Sequence, residues 1–380
     1  MPVFKDQGTE SGTGELFNYC MEMFAIEFCP FLNICASLAL ASEDSCLKVI
    51  ERIKCLPVFT EYLENVDERD IIATQELCVW QSIKSKPVYG DNNLLIPEGT
   101  LGVVVKDADK NGASIIQWKV TVNGWQICLR EMHIKLQEMA FSLAFPAPVS
   151  VQRIEAVGKL VLNILKTNLE MRFHLSHLIN VLFSIFQRYI NSSLPSLELV
   201  AMFLDIAGLL SKNMSDIWQQ LAQMHVLPFL TNFSKNLSDL LSGIGMNVGI
   251  IGQLIASREC VSGEYTLCLA FLNVVSNVAQ GAVDEDENFL ACIVYILREI
   301  FSYFPKWYYV NPQERILIGQ KCLNLLHSLF SVEKCRVQTV DKAQELCIFT
   351  LLHFEAGQTL LRIACTGEEV IQQTILKQNR

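Results

Sequence analysis

This sequence is short of charge. Charged residues occupy 18% of its 380 positions and hydrophobic ones 51%, whereas a typical soluble domain is about one quarter charged. Yet no apolar run reaches the roughly 20 consecutive residues of a membrane span. The best stretch, from Phe24 to Ala41, is broken by Glu27, Pro30 and Asn33, and others by Lys159, Asp205 or Arg298. Neither a basic n-region nor an apolar h-region follows Met1, so a soluble, intracellular chain is expected. The 14 cysteines form no CxxC pair and keep no regular spacing, which leaves reduced core thiols as the expectation. The Asn-x-Ser matches at Asn191, Asn213, Asn232 and Asn236 are then incidental. Lys and Arg never cluster among aromatics and the net charge is −10, which disfavours nucleic acid. There is no phosphate loop, no nucleophile elbow and no Phe-Gly dipeptide. An enzyme survives only as a spatial site that no local motif spells out.

What is abundant is helical periodicity. Ile154, Val157, Leu160, Val161, Ile164 and Leu165 fall on one stripe. Leu267, Ala270, Phe271, Val274, Val275 and Val278 form a second, and Leu290, Ile293, Val294, Leu297, Phe301 and Phe304 a third. Start signals recur: Asn311-Pro312 with Glu314, Thr366 with Glu369, and Asp284 with Glu287 inside an acidic run. Helix follows helix on short connectors and no fixed repeat period emerges. The expected fold class is therefore all-α: a right-handed-type helical solenoid, HEAT/ARM-like but irregular. From Pro87 to His133 the period turns to alternation, through Thr100–Val105, Ser114–Val122 and, after an Asn123-Gly124 hairpin turn, Trp125–Leu129. These strands predict one inserted small all-β barrel, with Val103, Val105, Ile116, Trp118 and Val120 inside. The expected division is a disordered 1–14, helices over 15–86, the barrel over 87–135, and helices over 136–380. Gly243 to Gly263 reads as a loop or a broken helix.

Candidate sites are few. Asp107-Ala108-Asp109-Lys110-Asn111-Gly112 matches half of an EF-hand loop, but Trp118 stands where the bidentate Glu belongs. A hairpin turn is the better reading. Gly243-x-Gly245-x-x-x-Gly249 is a dinucleotide fingerprint with one residue too many. His174 and His177 sit one helical turn apart without supporting ligands. No metal, cofactor or catalytic residue is assigned. Tyr89 and Trp125 are the candidate protein-contact residues on the barrel, with Trp118 assigned to its core.

Several segments resemble a known family. Ile96–Gly102, Gln117-Trp118-Lys119 and Trp125–Met132 are similar to the Src-homology-3-like insertion of the nucleoporin 188 family of large inner-ring nucleoporins. Val226–Phe229, Gly245-Met246-Asn247, Ser262–Tyr265, Ala270-Phe271-Leu272, Lys306-Trp307 and Glu355–Gln358 follow in the same order. The resemblance implies an internal fragment of a longer scaffold at the nuclear envelope, in the nuclear pore complex. It would position other nucleoporins and support nucleocytoplasmic transport of protein and mRNA. The implied partners are other nucleoporins, including a linker type whose main anchor lies beyond Arg380, with Phe-Gly repeats and transport receptors as further candidates. The alternative is an importin-like helical-repeat transport receptor that binds cargo or Phe-Gly segments.

Overall fold

Helices begin where the sequence supplies caps. The Ser42 hydroxyl accepts the Ser45 amide at 3.1 Å, and Glu43 and Asp44 then open a helix that closes on Arg52 and Lys54, charges that complement its dipole. The computed structural model describes residues 12–63, 71–74, 78–88, 91–106, 114–141, 148–192, 194–211, 215–231, 245–280, 287–331, 338–353 and 355–365. The chain is mostly helical with a small antiparallel sheet. It divides into two units, Met1–Ser193 and Leu194–Arg380. Among the described residues no helix is long and apolar enough to cross a membrane.

In the first unit α1 (Gly12–Glu22), α2 (Phe28–Ala39) and α3 (Glu43–Lys54) precede seven strands. Then come α4 (Gly124–Phe141), α5 (Pro148–Thr167) and α6 (Ser176–Tyr189). The apolar stripe of α5 is buried from Ile154 to Leu165 and packs on α2. Polar ties fix the register: Asn163 donates to the Ala36 carbonyl and Thr167 to that of Ala39, each at 3.0 Å. Buried Glu131 on α4 is neutralised by Arg153 on α5 at 2.8 Å and by Lys135 at 3.6 Å, as a carboxylate removed from water requires.

The strands are β1 (Phe59–Leu63), β2 (Ile71–Ala73), β3 (Val79–Ser82), β4 (Lys86–Val88), β5 (Asp91–Ile96), β6 (Leu101–Lys106) and β7 (Ser114–Trp118). Five of them form an antiparallel sheet in the order β1-β7-β6-β3-β2, and β4 pairs with β5 separately. Phe59, Ile116 and Trp118 lie buried on one face. Gly102 is opposite Trp118 in register, where a Cβ would come within 2.7 Å of the indole. Only glycine lets the ring lie over that backbone. The Trp118 N–H donates to Glu61 at 2.8 Å, and Lys86 on β4 pairs with the same carboxylate at 2.7 Å. Before β1 and after β7 the chain meets itself: Leu56 and Val122 exchange both amide bonds, at 3.0 and 2.9 Å.

Several expectations are corrected here. Strands begin at Phe59, inside the stretch 15–86 expected to be helical, and α4 begins at Gly124, inside the expected barrel 87–135. The early strands are short and carry polar residues such as Glu61 and Gln81, which blur the alternation. Asn123-Gly124 is a helix start rather than a hairpin turn. The Asn123 carbonyl oxygen of the side chain accepts the Trp125 amide at 3.0 Å, and a Cβ at Gly124 would meet the Ile53 carbonyl at 2.7 Å. Val105 is 50% exposed instead of buried, because the β6–β7 register slips between Val104 and Lys106 and bulges it out of the ladder. Val103 and Val120 are partly exposed. Helix α1 starts within the stretch 1–14 expected to be disordered.

In the second unit α7 (Leu197–Ser211) and α8 (Ser215–Gln223) lead to two short paired strands, β8 (Phe229–Leu230) and β9 (Met246–Asn247). A broken helix follows: α9 (Gly249–Leu254), a π turn (Ile255–Glu259) and α10 (Cys260–Ser262). Then come α11 (Thr266–Gln280), α12 (Glu287–Tyr295) with a π turn (Ile296–Phe301), α13 (Pro312–Ser331) and α14 (Gln338–His353). Residues 355–365 are helical again. Helix α11 packs on α7 and on α13. At Gly208 a Cβ would stand 3.2 Å from the Val274 Cα, so the missing side chain is what lets α7 approach. A polar ladder crosses the three helices: Asn273 donates to Asp205 at 3.2 Å and accepts from Lys321.

Candidate functional site

The residues singled out for chemistry do not come together. Trp125 is half-buried and its N–H donates to the Ile50 carbonyl at 3.2 Å, so its polar edge ties α4 to α3. Tyr89, and the half EF-hand at Asp107–Gly112, lie outside the described residues. His174 and His177 are exposed, and among the described residues no group of three His, Cys, Asp or Glu is placed to hold a metal. Gly243 also lies outside the described residues. Gly245 and Gly249 have φ of 81° and 66° and serve a backbone clasp. The Thr231 amide donates to Gly245, the Gly249 amide to the Asn247 side chain at 2.9 Å, and the Ile251 amide to Val226 at 3.0 Å. The Leu227 carbonyl fills the space that a Cβ on Gly249 would need. Val226–Phe229 and Gly245–Gly249 thus interlock main chain to main chain.

A second meeting point gathers Ser262–Tyr265, Lys306-Trp307 and Glu355. Gly263 ends α10 with φ 81°, and its carbonyl accepts the Val310 amide at 2.9 Å. A side chain on Gly263 would strike the Tyr308 ring at 2.6 Å. Tyr265 is buried, stacks on Trp307, and donates its hydroxyl to the Tyr308 carbonyl at 2.9 Å. Lys306 pairs with Glu355 at 2.7 Å.

Two carboxylates close this joint from opposite sides. Glu259, in the first π turn, accepts the amides of Leu267 and Cys268, the latter at 2.9 Å. These are first-turn donors of α11 that have no partner within the helix. Glu314 on α13 accepts the Tyr265 amide at 2.9 Å. The sequence pattern assigns Glu314 to the cap of its own helix, but the Asn311 side chain caps Gln313 there at 3.1 Å. Burial pushes the Glu259 carboxyl up to about 8, against the pull of its two amide donors, with Glu314 and Glu198 adding to the rise. Burial likewise raises the Tyr265 phenol, which stays protonated. Glu259 went unnoticed because it falls in the aperiodic stretch Gly243–Gly263. The available signal is an acid seven residues before Thr266, where an uncharged, apolar helix begins. The buried polar groups of the joint, Glu259 and the Tyr265 hydroxyl, hold backbone, and Lys306 and Glu355 form an exposed ion pair at its edge.

Apolar side chains remain exposed around the joint: Val261 at 76%, Tyr308 at 65% and Val310 at 56%.

The family model for nucleoporin Nup188, N-terminal subdomain III, matches residues 115–374. Nucleoporin NUP188 of Mus musculus is 26% identical over 388 residues, covering 98% of this chain and 21% of its own length. NUP188 of Homo sapiens is 26% identical over 388 residues, covering 98% and 22%. Nucleoporin Nup188 of Drosophila melanogaster is 19% identical over 382 residues, covering 96% and 20%. The chain spans about a fifth of the length of these curated relatives. The β8–β9 clasp and the Tyr265 joint both lie inside the matched region, which takes in more than half of the chain, and this chain therefore belongs to the Nup188 family of nucleoporins.

Proposed function

We propose that the chain is a segment of a nuclear-pore scaffold nucleoporin of the inner ring, holding other nucleoporins in place and catalysing no reaction. The observation that carries this reading is the Nup188 family match over residues 115–374. The geometry agrees with it, since Val226–Phe229 meets Gly245-Met246-Asn247 through paired backbone and Ser262–Tyr265 meets Lys306-Trp307 through a ring stack. The proposed architecture is an irregular, right-handed-type helical solenoid. A Src-homology-3-like module over residues 59–118 is inserted between α3 and α4, where the Leu56–Val122 bridge ties its two ends. The relatives are nucleoporins, which favours a scaffold over an importin-like transport receptor. The proposed partners are other nucleoporins, with a linker nucleoporin anchored outside this segment; Phe-Gly repeats and transport receptors are secondary candidates. Of the two contact candidates, Tyr89 within the module is retained, and Trp125, which lies on α4 outside it, is the weaker, its N–H being committed to Ile50.

The test is to tag the protein carrying this chain at its own locus. Punctate staining of the nuclear rim and co-purification with other nucleoporins are expected. A diffuse signal that shuttles with cargo would support the transport-receptor reading and overturn this one.

A further inference from the structure

We propose that Glu259 is a proton-operated latch: its protonation state sets how firmly the turn Gly263–Tyr265 and the first turn of α11 are held between α10 and α13. The placement carries the argument. Glu259 is fully buried, and its two carboxylate oxygens are taken by the Leu267 and Cys268 amides. Among the described residues no lysine or arginine pairs with it. Arg258, the nearest cation in sequence, turns its guanidinium to the Pro195 carbonyl.

The surroundings from each packed element are acidic or neutral. Glu314 faces it from α13 and Glu198 from α7. Cys260 of α10, Cys268 of α11, Tyr265 of the turn and Tyr295 of α12 bring only groups that stay uncharged near neutrality. The α11 dipole and the two amides favour the carboxylate. Desolvation and the two like charges oppose it. Burial outweighs the amides, so the carboxyl holds its proton into the neutral range.

The sign follows from linkage. The joint retains a proton on Glu259 up to about pH 8, whereas an opened joint releases it near the ordinary carboxyl value. Between those values opening gains about tenfold for each unit rise in pH, and it levels off above the upper one. The latch is firmest in acid and loosens as pH rises through neutrality.

The test is amide hydrogen exchange on the full chain, followed at Leu267 and Cys268 and corrected for intrinsic exchange. Between about pH 5.5 and pH 7.5 the opening constant is expected to rise close to a hundredfold. Glu259→Gln, which keeps one carbonyl acceptor and cannot ionise, is expected to flatten that slope. Glu314→Gln removes one like charge and retains an acceptor for the Tyr265 amide. It is expected to move the plateau to lower pH, and it serves as the readout should Glu259→Gln fail to fold. A flat wild-type profile over that range, an unchanged slope in Glu259→Gln, or an unmoved plateau in Glu314→Gln would each overturn the proposal.

Discussion

Tyr265 lies flat against Trp307, ring centroids 5.0 Å apart and planes 7° from parallel. The stack joins the turn before α11 to the segment before α13. Two short motifs far apart in the chain thus each supply half of one contact.

Replacing Tyr265 by Ala removes a buried aromatic and orphans the Tyr308 carbonyl. A loss of about 3–5 kcal/mol is expected, as for other buried aromatic truncations. Tyr265→Phe deletes only the hydroxyl bond and should lose about 1 kcal/mol. Urea unfolding of both variants checks the order, and equal losses would show that the stack contributes little.

Trp118→Ala leaves a cavity beside Phe59 and Ile116 on the buried face of the five-stranded sheet and leaves Glu61 with Lys86 alone. The expected loss is about 3–5 kcal/mol, comparable to the whole stability of so small a module. Limited proteolysis should cut within 59–118 while the far-UV helical signal persists. Loss of the helical signal would mean that the sheet is an integral packing layer.

Deleting the sheet itself is a milder change than its size suggests. Leu56 and Val122 are already paired, so a short Gly/Ser linker in place of residues 57–121 closes a loop whose ends are in contact. A cooperative thermal melt of the remaining helices is expected, and a broad, non-cooperative melt would contradict the division.

Thiol chemistry should sort the cysteines by burial. Burial pushes the Cys322 and Cys347 thiols up to about 12 and raises Cys35 and Cys268 as well, so none of them offers thiolate at neutral pH. Cys55, Cys78 and Cys365 are exposed. Among the described cysteines, iodoacetamide on the native protein should label these three first by mass spectrometry. Rapid labelling of Cys322 would show that the α13 core opens readily.

The helical stripes were legible because burial imposes a period. The residues assigned to the core from Ile154 to Leu165, from Leu267 to Val278 and from Leu290 to Phe304 are all buried. The sheet was half legible. Trp118 and Ile116 obey alternation, whereas β1 to β3 are too short and polar to show it. Asn123-Gly124 misled because asparagine suits a helix cap as well as a turn, and Ile127 and Cys128, adjacent and both buried, mark a helix. The joint was legible only as separate segments, not as a contact. Glu259 and Glu314 act on amides from other elements, and no local pattern records a contact made across the chain.

The Leu56–Val122 bridge also decides how the first unit carries load. Tension applied through α3 and α4 reaches the two hydrogen bonds of the bridge, and the Trp125–Ile50 contact beside them, before it reaches any strand. The sheet is mechanically in parallel with the helical backbone rather than in series with it. A stretch applied through α3 and α4 therefore loads the strands only after the bridge parts.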